Sequence, residues 1–238
     1  MLDLRYTPTG WLVILPQDDP RLIVDAMLET GYSEEFCASP DFSPGFIARL
    51  MEAGFLVMST KTMDEGDDNN CILLPKLHLI RSVLFFENLH IKNSIKRYLS
   101  RYEIRADSDF DYILDRCVEV HGDDWLTPPL VDAIKIIREK ENGNVRPAVV
   151  KPMSFALYRD GKPVAGEFGI KAGRVYTSYS GYYDESNAGT VQLILTCRYL
   201  QEHGFAFFDL GMPLDYKADL GATEISPEEF VALFRAAQ

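Results

Sequence analysis

The feature that most constrains this chain is a change of periodicity in its second half. Residues 154–158 alternate apolar and polar side chains, residues 164–170 and 175–183 continue as strand-like stretches, and the dipeptide Asp160-Gly161 between the first two is typical of a tight hairpin turn. Residues 190–203 then have the apolar spacing of a helix, and residues 205–210 return to an apolar strand pattern. The order predicts an antiparallel meander followed by a helix and a further buried strand.

This order of elements predicts an α+β fold with a mixed, largely antiparallel sheet, of the kind found in GNAT-like acyltransferases. Such a sheet splays open where substrates enter. We predict a GNAT-like domain over residues 81–238, preceded by a small N-terminal α/β domain over residues 1–80. Within the latter, Ser43-Pro44 predicts the start of a helix. The segment 63–70, MDEGDDNN, is predicted to be a loop, and its spacing is not that of a calcium site.

The charge of the chain limits its partners. Lys and Arg number 24 against 36 Asp and Glu, a formal charge of −12, which opposes nonspecific binding to nucleic acid or to an anionic membrane. The apolar burst at 11–15 ends at Pro16 and is too short to span a bilayer or to serve as a signal peptide. We therefore expect an unprocessed cytoplasmic protein.

The cysteines are far apart and show no paired spacing, which favours reduced thiols over disulfides and argues against structural zinc. No metal site and no cofactor are predicted. The cysteines are Cys37, Cys71, Cys117 and Cys197.

A local basic cluster contrasts with the acidic whole. Residues 89–102 have helical spacing, with the apolar side chains on one face and the basic ones on the other. Such a pattern is most often typical of a helix face exposed to solvent. A small basic patch in an acidic protein also suits a few phosphates at the end of a nucleic-acid strand. The basic side chains are His90, Lys92, Lys96, Arg97, Arg101 and Arg105.

Two segments resemble the leucyl/phenylalanyl-tRNA–protein transferase family: residues 87–98, ENLHIKNSIKRY, and residues 205–225, FAFFDLGMPLDYKADLGATEI. The final DLGATEI is the most specific match. The resemblance implies an enzyme that moves a Leu- or Phe-like amino acid from aminoacyl-tRNA to the N-terminal amine of a protein or peptide by ester aminolysis. It also implies acceptors with a basic N-terminal residue, which an acidic surface would attract.

The resemblance assigns roles to particular residues. Asp209, at the carboxyl end of a buried strand, would orient groups around the reacting ester, although a structural strand-end aspartate is the alternative reading. Trp125, in an exposed turn, would stack on the terminal adenine or wall the side-chain pocket, unless it is a half-buried core residue. The tRNA contacts implied are His90, Lys92, Lys96, Arg97 and Arg101, and the pocket residues are Gly211, Tyr182, Leu220, Gly221 and Glu224.

The chain departs from the family pattern at several places: residues 54–58 read GFLVM where the family has GIFPW, residues 74–77 read LPKL where it has a WWSP-type segment, and two further departures bear on catalysis. Residues 178–183 read SYSGYY where the family has GESMFS, so Tyr179 replaces a glutamate, and Gly211 replaces a glutamine. Tyr179, Ser180 and Glu167 are therefore candidates, with Tyr182, for supplying the missing catalytic groups.

Two other functions stay open. One is an acyl-CoA-dependent GNAT acyltransferase, although residues 185–190, ESNAGT, lack the Gly-rich turn that cradles a pyrophosphate. The other is a catalytically inactive homologue that binds aminoacyl-tRNA. Neither the amino acid transferred, nor the acceptor, nor the oligomeric state follows from the sequence.

Overall fold

The computed structural model describes residues 4–62, 71–143 and 150–238. The loop predicted at 63–70 lies outside the described residues. The helices are α1 (Pro20–Thr30), α2 (Pro44–Glu52), α3 (Asn93–Leu99), α4 (Phe110–His121), α5 (Pro128–Gly143), α6 (Ala188–Glu202), α7 (Asp215–Asp219) and α8 (Pro227–Ala236). The strands are β1 (Arg5–Tyr6), β2 (Leu12–Val13), β3 (Cys37–Ala38), β4 (Leu56–Lys61), β5 (Cys71–Lys76), β6 (Arg81–Leu84), β7 (Glu103–Ala106), β8 (Val150–Arg159), β9 (Lys162–Ala172), β10 (Val175–Tyr183), β11 (Phe207–Gly211) and β12 (Thr223–Ile225).

The chain forms two compact units that alternate along the sequence. The first contains residues 1–79 and 122–150, and the second contains residues 80–121 and 151–238. The predicted division into domains at 1–80 and 81–238 assigns residues 122–150 to the second domain, whereas these residues belong to the first compact unit. That division stays a prediction.

The described part of the first unit combines short strands with the helices α1, α2 and α5. Strands β1, β2 and β3 form one small sheet, while β4 and β5 pair with each other in antiparallel fashion. Helix α2 begins at Pro44, as predicted, because proline needs no hydrogen-bond partner at the first helical position. Its apolar side chains, including Phe46, Ile47 and Leu50, are buried.

The second unit is built on one seven-stranded sheet in the order β12-β6-β11-β10-β9-β8-β7. Strands β8 and β9 are joined by Asp160 and Gly161, whose φ angles of 52° and 77° both suit a hairpin turn. Strand β10 runs antiparallel to β9 but parallel to β11, and α6 makes the crossover between them. The predicted α+β class, with its mixed, largely antiparallel sheet, is confirmed.

Helices cover both faces of the central strands. The Cα of Gly166 approaches α4 so closely that an added Cβ would lie 3.1 Å from the Cγ1 of Ile113. Successive side chains of a strand point to opposite faces, so Glu167, the next residue of β9, faces α6. Helix α6 buries Val191, Ile194 and other apolar side chains, each contributing roughly 1.5–3 kcal/mol of transfer free energy.

The helix predicted over residues 89–102 is wrong in its extent, since α3 covers only Asn93–Leu99. A short 3-10 turn at Phe86–Asn88 precedes it, and the intervening backbone leaves the helical conformation. Leu89 and Lys92 have ψ angles of 109° and 138°, outside the helical range, and the backbone N–H of His90 between them donates to the carbonyl of Leu220 at 2.9 Å. His90 and Lys92 therefore precede the helix, and Arg101 follows it.

No helix of the described ranges has the length and apolar character needed to cross a membrane. Within the same ranges, no three His, Cys, Asp or Glu side chains gather as metal ligands would. All four cysteines are described, and all four are free thiols.

Candidate active site

Asp209 is the central residue of β11, two residues before the strand ends at Gly211, and forms a fully buried ion pair with Arg81 of β6. The two side chains are 0% and 1% exposed. The Nε of Arg81 donates to Oδ1 of Asp209 at 2.9 Å, and Nη2 donates to Oδ2 at 2.6 Å. This bidentate geometry matches the planar fork of a guanidinium group to a carboxylate, which suits a buried pair.

Further groups complete this pair. The hydroxyl of Thr177, directly opposite Asp209 on β10, donates to Oδ2 at 2.8 Å, and the backbone N–H of Gly211 donates to Oδ1 at 3.0 Å. The ring of Phe230 covers the guanidinium of Arg81, with 4.2 Å from Cζ to the ring centroid. Each carboxylate oxygen of Asp209 thus accepts two hydrogen bonds, and its hydrogen-bonding capacity is filled.

The strand end beyond Asp209 is held by Lys217 of α7. Its Nζ donates to the carbonyls of Leu210 and Met212 at 2.6 and 2.8 Å, on either side of Gly211. Gly211 has a φ of 71°, a conformation that favours glycine. Burial lowers the pKa of Lys217 to about 8, although the charge of Asp209 opposes that shift.

Glu167 is a second buried carboxyl group, and its oxygens are only partly paired. The hydroxyl of Ser178 donates to Oε2 at 2.8 Å, whereas Oε1 has no hydrogen-bond partner in the described part of the chain. Burial raises its pKa to about 7, against the opposing effects of Ser178, Gln192, Thr196 and, last, the charge of Lys217. A carboxyl group that titrates near neutral pH can accept and release protons.

The structure does not gather the other predicted catalytic residues around Glu167. Tyr179 lies at an irregularity in the β9–β10 register, with its ring centroid 5.9 Å from that of Phe168. Ser180 lies against Cys117 of α4, and its hydrogen bond partly offsets the burial that raises the pKa of that thiol to about 12. Tyr182 is buried, with its ring centroid 5.0 Å from the Cζ of Arg116, also on α4. Ser180 and Tyr182 thus face α4, whereas Glu167 faces α6.

The predicted tRNA contacts form an exposed basic segment, which we define as residues 90–101. His90, Lys92 and Lys96 line an open cavity of about 600 Å³, and Lys92 also pairs with Asp219 at 2.6 Å. Arg97 lies on the exposed side of α3. The basic side chains are therefore brought together on the surface, although the helix itself is short.

A second open cavity, of about 490 Å³, adjoins this segment. Arg101 lines it together with Arg159 and with Asn187 at the start of α6. The guanidinium groups of Arg97 and Arg101 each lie 5.0 Å from the ring centroid of Tyr98, so both cations pack against this ring.

The expectation of an exposed Trp125 is wrong, because its side chain is half-buried. Trp125 belongs to the first compact unit, where its carbonyl accepts a hydrogen bond from the N–H of Ser59 at 2.9 Å.

The predicted pocket residues near the C-terminus divide into buried and exposed groups. Leu220 is buried in a cluster with Ile95 of α3. Gly221 approaches the neighbouring chain so closely that an added Cβ would lie 2.0 Å from the carbonyl oxygen of Asn88, and its φ of 95° favours glycine. Glu224 is exposed on β12. The first two residues therefore position the basic segment through packing.

Sequence reasoning missed Arg81 and Lys217. Arg81 carries a weak signal, since it stands two residues before the apolar run 83–86, at the start of a strand, where a charge is unexpected unless it is paired. Lys217 carries none, because the surrounding segment, DYKAD, has the composition of an exposed helix.

The family model and the curated relatives that match this chain have the same description. A sequence model described as leucyl/phenylalanyl-tRNA protein transferase matches residues 83–235, which include every predicted site residue. A leucyl/phenylalanyl-tRNA–protein transferase of Pseudomonas putida is 28% identical over 155 residues, covering 63% of this chain and 65% of that protein. The protein of the same name from Nitrosospira multiformis is 30% identical over 155 residues, covering 63% of each chain. The resemblance predicted from the motifs is confirmed.

These alignments span just under two thirds of the length of the curated relatives. Among solved structures, the crystal structure of FemX has a TM-score of 0.47 and 11% identity, and the likeness covers 94% of this chain and 81% of that one.

Proposed function

Because this chain belongs to the leucyl/phenylalanyl-tRNA–protein transferase family, we propose that it is an aminoacyltransferase acting on aminoacyl-tRNA and on the N-terminal amine of a protein or peptide. The observation that carries the proposal is the family match over residues 83–235, which contains both buried carboxylates of the candidate site. The proposed reaction is aminolysis: the amine attacks the ester carbonyl, a C–N bond forms and the C–O bond to the ribose breaks.

Asp209 acts in this proposal as a positioning residue. Its oxygens are already occupied by Arg81, Thr177 and the N–H of Gly211, so it is poorly suited to take a proton from substrate. Its contacts instead hold the end of β11 at a defined place relative to β6 and β10. A rigid strand end of this kind serves a reaction that depends mainly on the placement of two reactants.

Glu167 is our candidate for the proton acceptor. Its Oε1 has no hydrogen-bond partner among the described residues, and burial raises its pKa to about 7, so it can exchange a proton near neutral pH. We assign to it the proton that the amine loses on attack, which it then passes to the departing ribose oxygen. Glu167 would in this way replace the glutamate that the family has at the position of Tyr179.

The basic segment is our candidate for the contact with the acceptor end of the tRNA. Lys96, Arg97 and Arg101 are exposed and stand out in a chain of net charge −12, so their positive charge is available to a few phosphates. The acidic remainder of the surface would attract an acceptor whose N-terminal residue is Arg or Lys. We place the protein in the cytoplasm, in keeping with its free thiols.

The test is transfer of labelled leucine or phenylalanine from charged tRNA to a peptide that begins with Arg. We expect transfer by the wild type and a loss of about 10²–10⁴-fold in Glu167→Gln, the range typical of a removed general base. Glu202→Gln, at the exposed end of α6, is the matched control and should transfer normally. Equal rates in all three proteins would remove Glu167 from the proposed mechanism.

Binding of charged tRNA, measured beside transfer, distinguishes the inactive-homologue alternative from the acyl-CoA alternative. Binding of charged tRNA without transfer to any acceptor would indicate an inactive binding homologue. If neither binding nor transfer occurs, a thermal shift with acetyl-CoA tests the remaining acyl-CoA alternative.

A further inference from the structure

Phe230 of α8 lies against the buried ion pair of the candidate site. The centroid of its ring is 4.2 Å from the Cζ of Arg81, and both side chains are 1% exposed. Asp209 accepts hydrogen bonds at the edge of the guanidinium group, from Nε and Nη2, whereas Phe230 covers its face. Because a guanidinium group is planar, the carboxylate and the ring meet different parts of it.

The backbone brings Phe230 to this position through β12. Ile225 of β12 pairs directly with Arg81 of β6, and α8 begins two residues later. Ser226 caps the helix by accepting a hydrogen bond from the N–H of Glu229 at 3.2 Å. The first turn of α8 thus places the ring of Phe230 over the same arginine whose backbone is paired with Ile225.

The other end of α8 is held at the turn between β9 and β10. The carbonyl of Ala237, which follows the helix, accepts a hydrogen bond from the N–H of Arg174 at 2.8 Å. Gly173 approaches so closely that an added Cβ would lie 2.7 Å from the same carbonyl oxygen. Both ends of α8 are therefore fixed by the sheet, and so is the position of Phe230 between them.

The ring restrains a movement that the hydrogen bonds of the ion pair leave open. Two parallel N–H···O bonds fix the guanidinium group within its own plane, but they resist a tilt of that plane only weakly. The negative face of an aromatic ring attracts a cation, and the attraction is stronger when both groups are removed from water. A ring 4.2 Å from Cζ therefore keeps the guanidinium plane of Arg81 aligned with the carboxylate of Asp209.

We propose that Phe230 is a positioning residue for the transfer reaction: the attraction between its ring and Arg81 keeps the guanidinium group aligned with Asp209, and Asp209 in turn holds the N–H of Gly211 at the end of β11. This role of Phe230 rests on the proposed function. A displaced strand end should slow transfer, because the reaction depends on the placement of two reactants.

The experiment replaces Phe230 with pentafluorophenylalanine, introduced at a stop codon in cell-free synthesis. Fluorine atoms withdraw electron density and reverse the ring quadrupole, while the size and the apolar surface of the ring change little. Phe234 receives the same replacement as the matched control. It is also buried on α8, with its ring centroid 5.4 Å from that of Phe230, and no cation lies over its ring among the described residues.

Transfer and hydrogen exchange are measured on both variants. We expect the replacement at Phe230 to lower kcat about tenfold and to leave KM for charged tRNA within about twofold of wild type. The Nε–H of Arg81 is identified in wild type by nuclear Overhauser contacts with the ring protons of Phe230. Its exchange with solvent should become about tenfold faster relative to the backbone N–H groups of β10. The replacement at Phe234 should change neither quantity.

An unchanged exchange rate of the Arg81 Nε–H in the folded Phe230 variant overturns the inference, and so does an equal change in both variants. A fall in kcat without faster exchange overturns it as well, because the ring would then act by another route. If the pentafluoro variant does not fold, trifluorophenylalanine weakens the quadrupole without reversing it. Faster exchange at Phe230 alone is again expected, and a wild-type rate overturns the inference.

Hydrogen exchange needs no transfer activity, so failure of the proposed function and failure of this inference are separate results. If the wild type transfers no amino acid, the proposed function fails, and the exchange rates still decide whether the ring of Phe230 holds Arg81.

Discussion

The two buried carboxylates of the second unit lie in opposite kinds of environment. Asp209 meets a bidentate arginine, a hydroxyl and a backbone N–H, so every oxygen is saturated with donors. Glu167 has one hydroxyl donor, and its Oε1 is unpaired in the described part of the chain. The comparison teaches that burial alone does not assign a role: a saturated carboxylate is an anchor, and an unsaturated one can exchange a proton.

The largest expected effect comes from breaking the anchor. Arg81→Met should leave the charge of Asp209 buried and unpaired, which costs on the order of 3–5 kcal/mol of unfolding free energy. Urea denaturation of Arg81→Met, Asp209→Asn and the double variant measures the pair as a thermodynamic cycle. The double variant should recover much of the lost stability. A loss below about 1 kcal/mol in Arg81→Met would contradict the view of this pair as an anchor.

Removing the charge of Glu167 should do the reverse and stabilise the protein at alkaline pH. The folded-state pKa is raised from 4.5 to about 7, so the proton adds stability that is full below pH 4.5 and lost as the pH rises through 7. Glu167→Gln cannot ionise and should exceed wild type by on the order of 3 kcal/mol at pH 8. At pH 4 the two proteins should be equal. Thermal unfolding at both pH values tests this, and an equal difference at both would refute it.

Asp209 and Glu167 each accept a hydrogen bond from one side-chain hydroxyl group, so removing these hydroxyls compares the two carboxylates at the level of a single donor. Thr177→Val removes a donor from Asp209 while keeping the side-chain shape, and should cost about 1–3 kcal/mol because a buried charged acceptor loses a partner. Ser178→Ala removes the donor to Glu167, whose carboxyl group can take up a proton instead. We therefore expect a higher Glu167 pKa and a smaller loss of stability at pH 5. Equal losses in the two variants at pH 5 would erase the distinction.

The smallest effect on stability is expected at the surface. Lys92 and Asp219 form an exposed ion pair, so Lys92→Met should change the unfolding free energy by less than about 1 kcal/mol. Its effect on binding of charged tRNA should be clearer, with the slope of log affinity against log salt reduced by about 0.7–0.9, the value for one lost phosphate contact. Lys162→Met is the control, and an unchanged slope in Lys92→Met would remove Lys92 from the tRNA contact.

The order of strands and helices in the second unit could be predicted because it depends on local signals. The turn residues Asp160 and Gly161, the strand-like composition of β8 to β10 and the apolar spacing of α6 each act over a few residues. The extent of α3 could not be predicted in this way. Its helical periodicity is real, but the helix begins only at Asn93, after His90 has bonded to the carbonyl of Leu220, 130 residues later.

The same distinction between local sequence signals and tertiary contacts applies to the candidate site. The sequence by itself determined that Asp209 lies in a buried strand, that basic residues gather around α3, and the family, since motifs and periodicity are properties of short stretches. Only the tertiary structure decided which side chains those residues meet. Arg81 and Lys217 reach the site from distant parts of the chain, and Ser180 and Glu167 face different helices because neighbouring strands alternate and shift in register. Partners and protonation depend on three-dimensional burial, which no short stretch of sequence specifies.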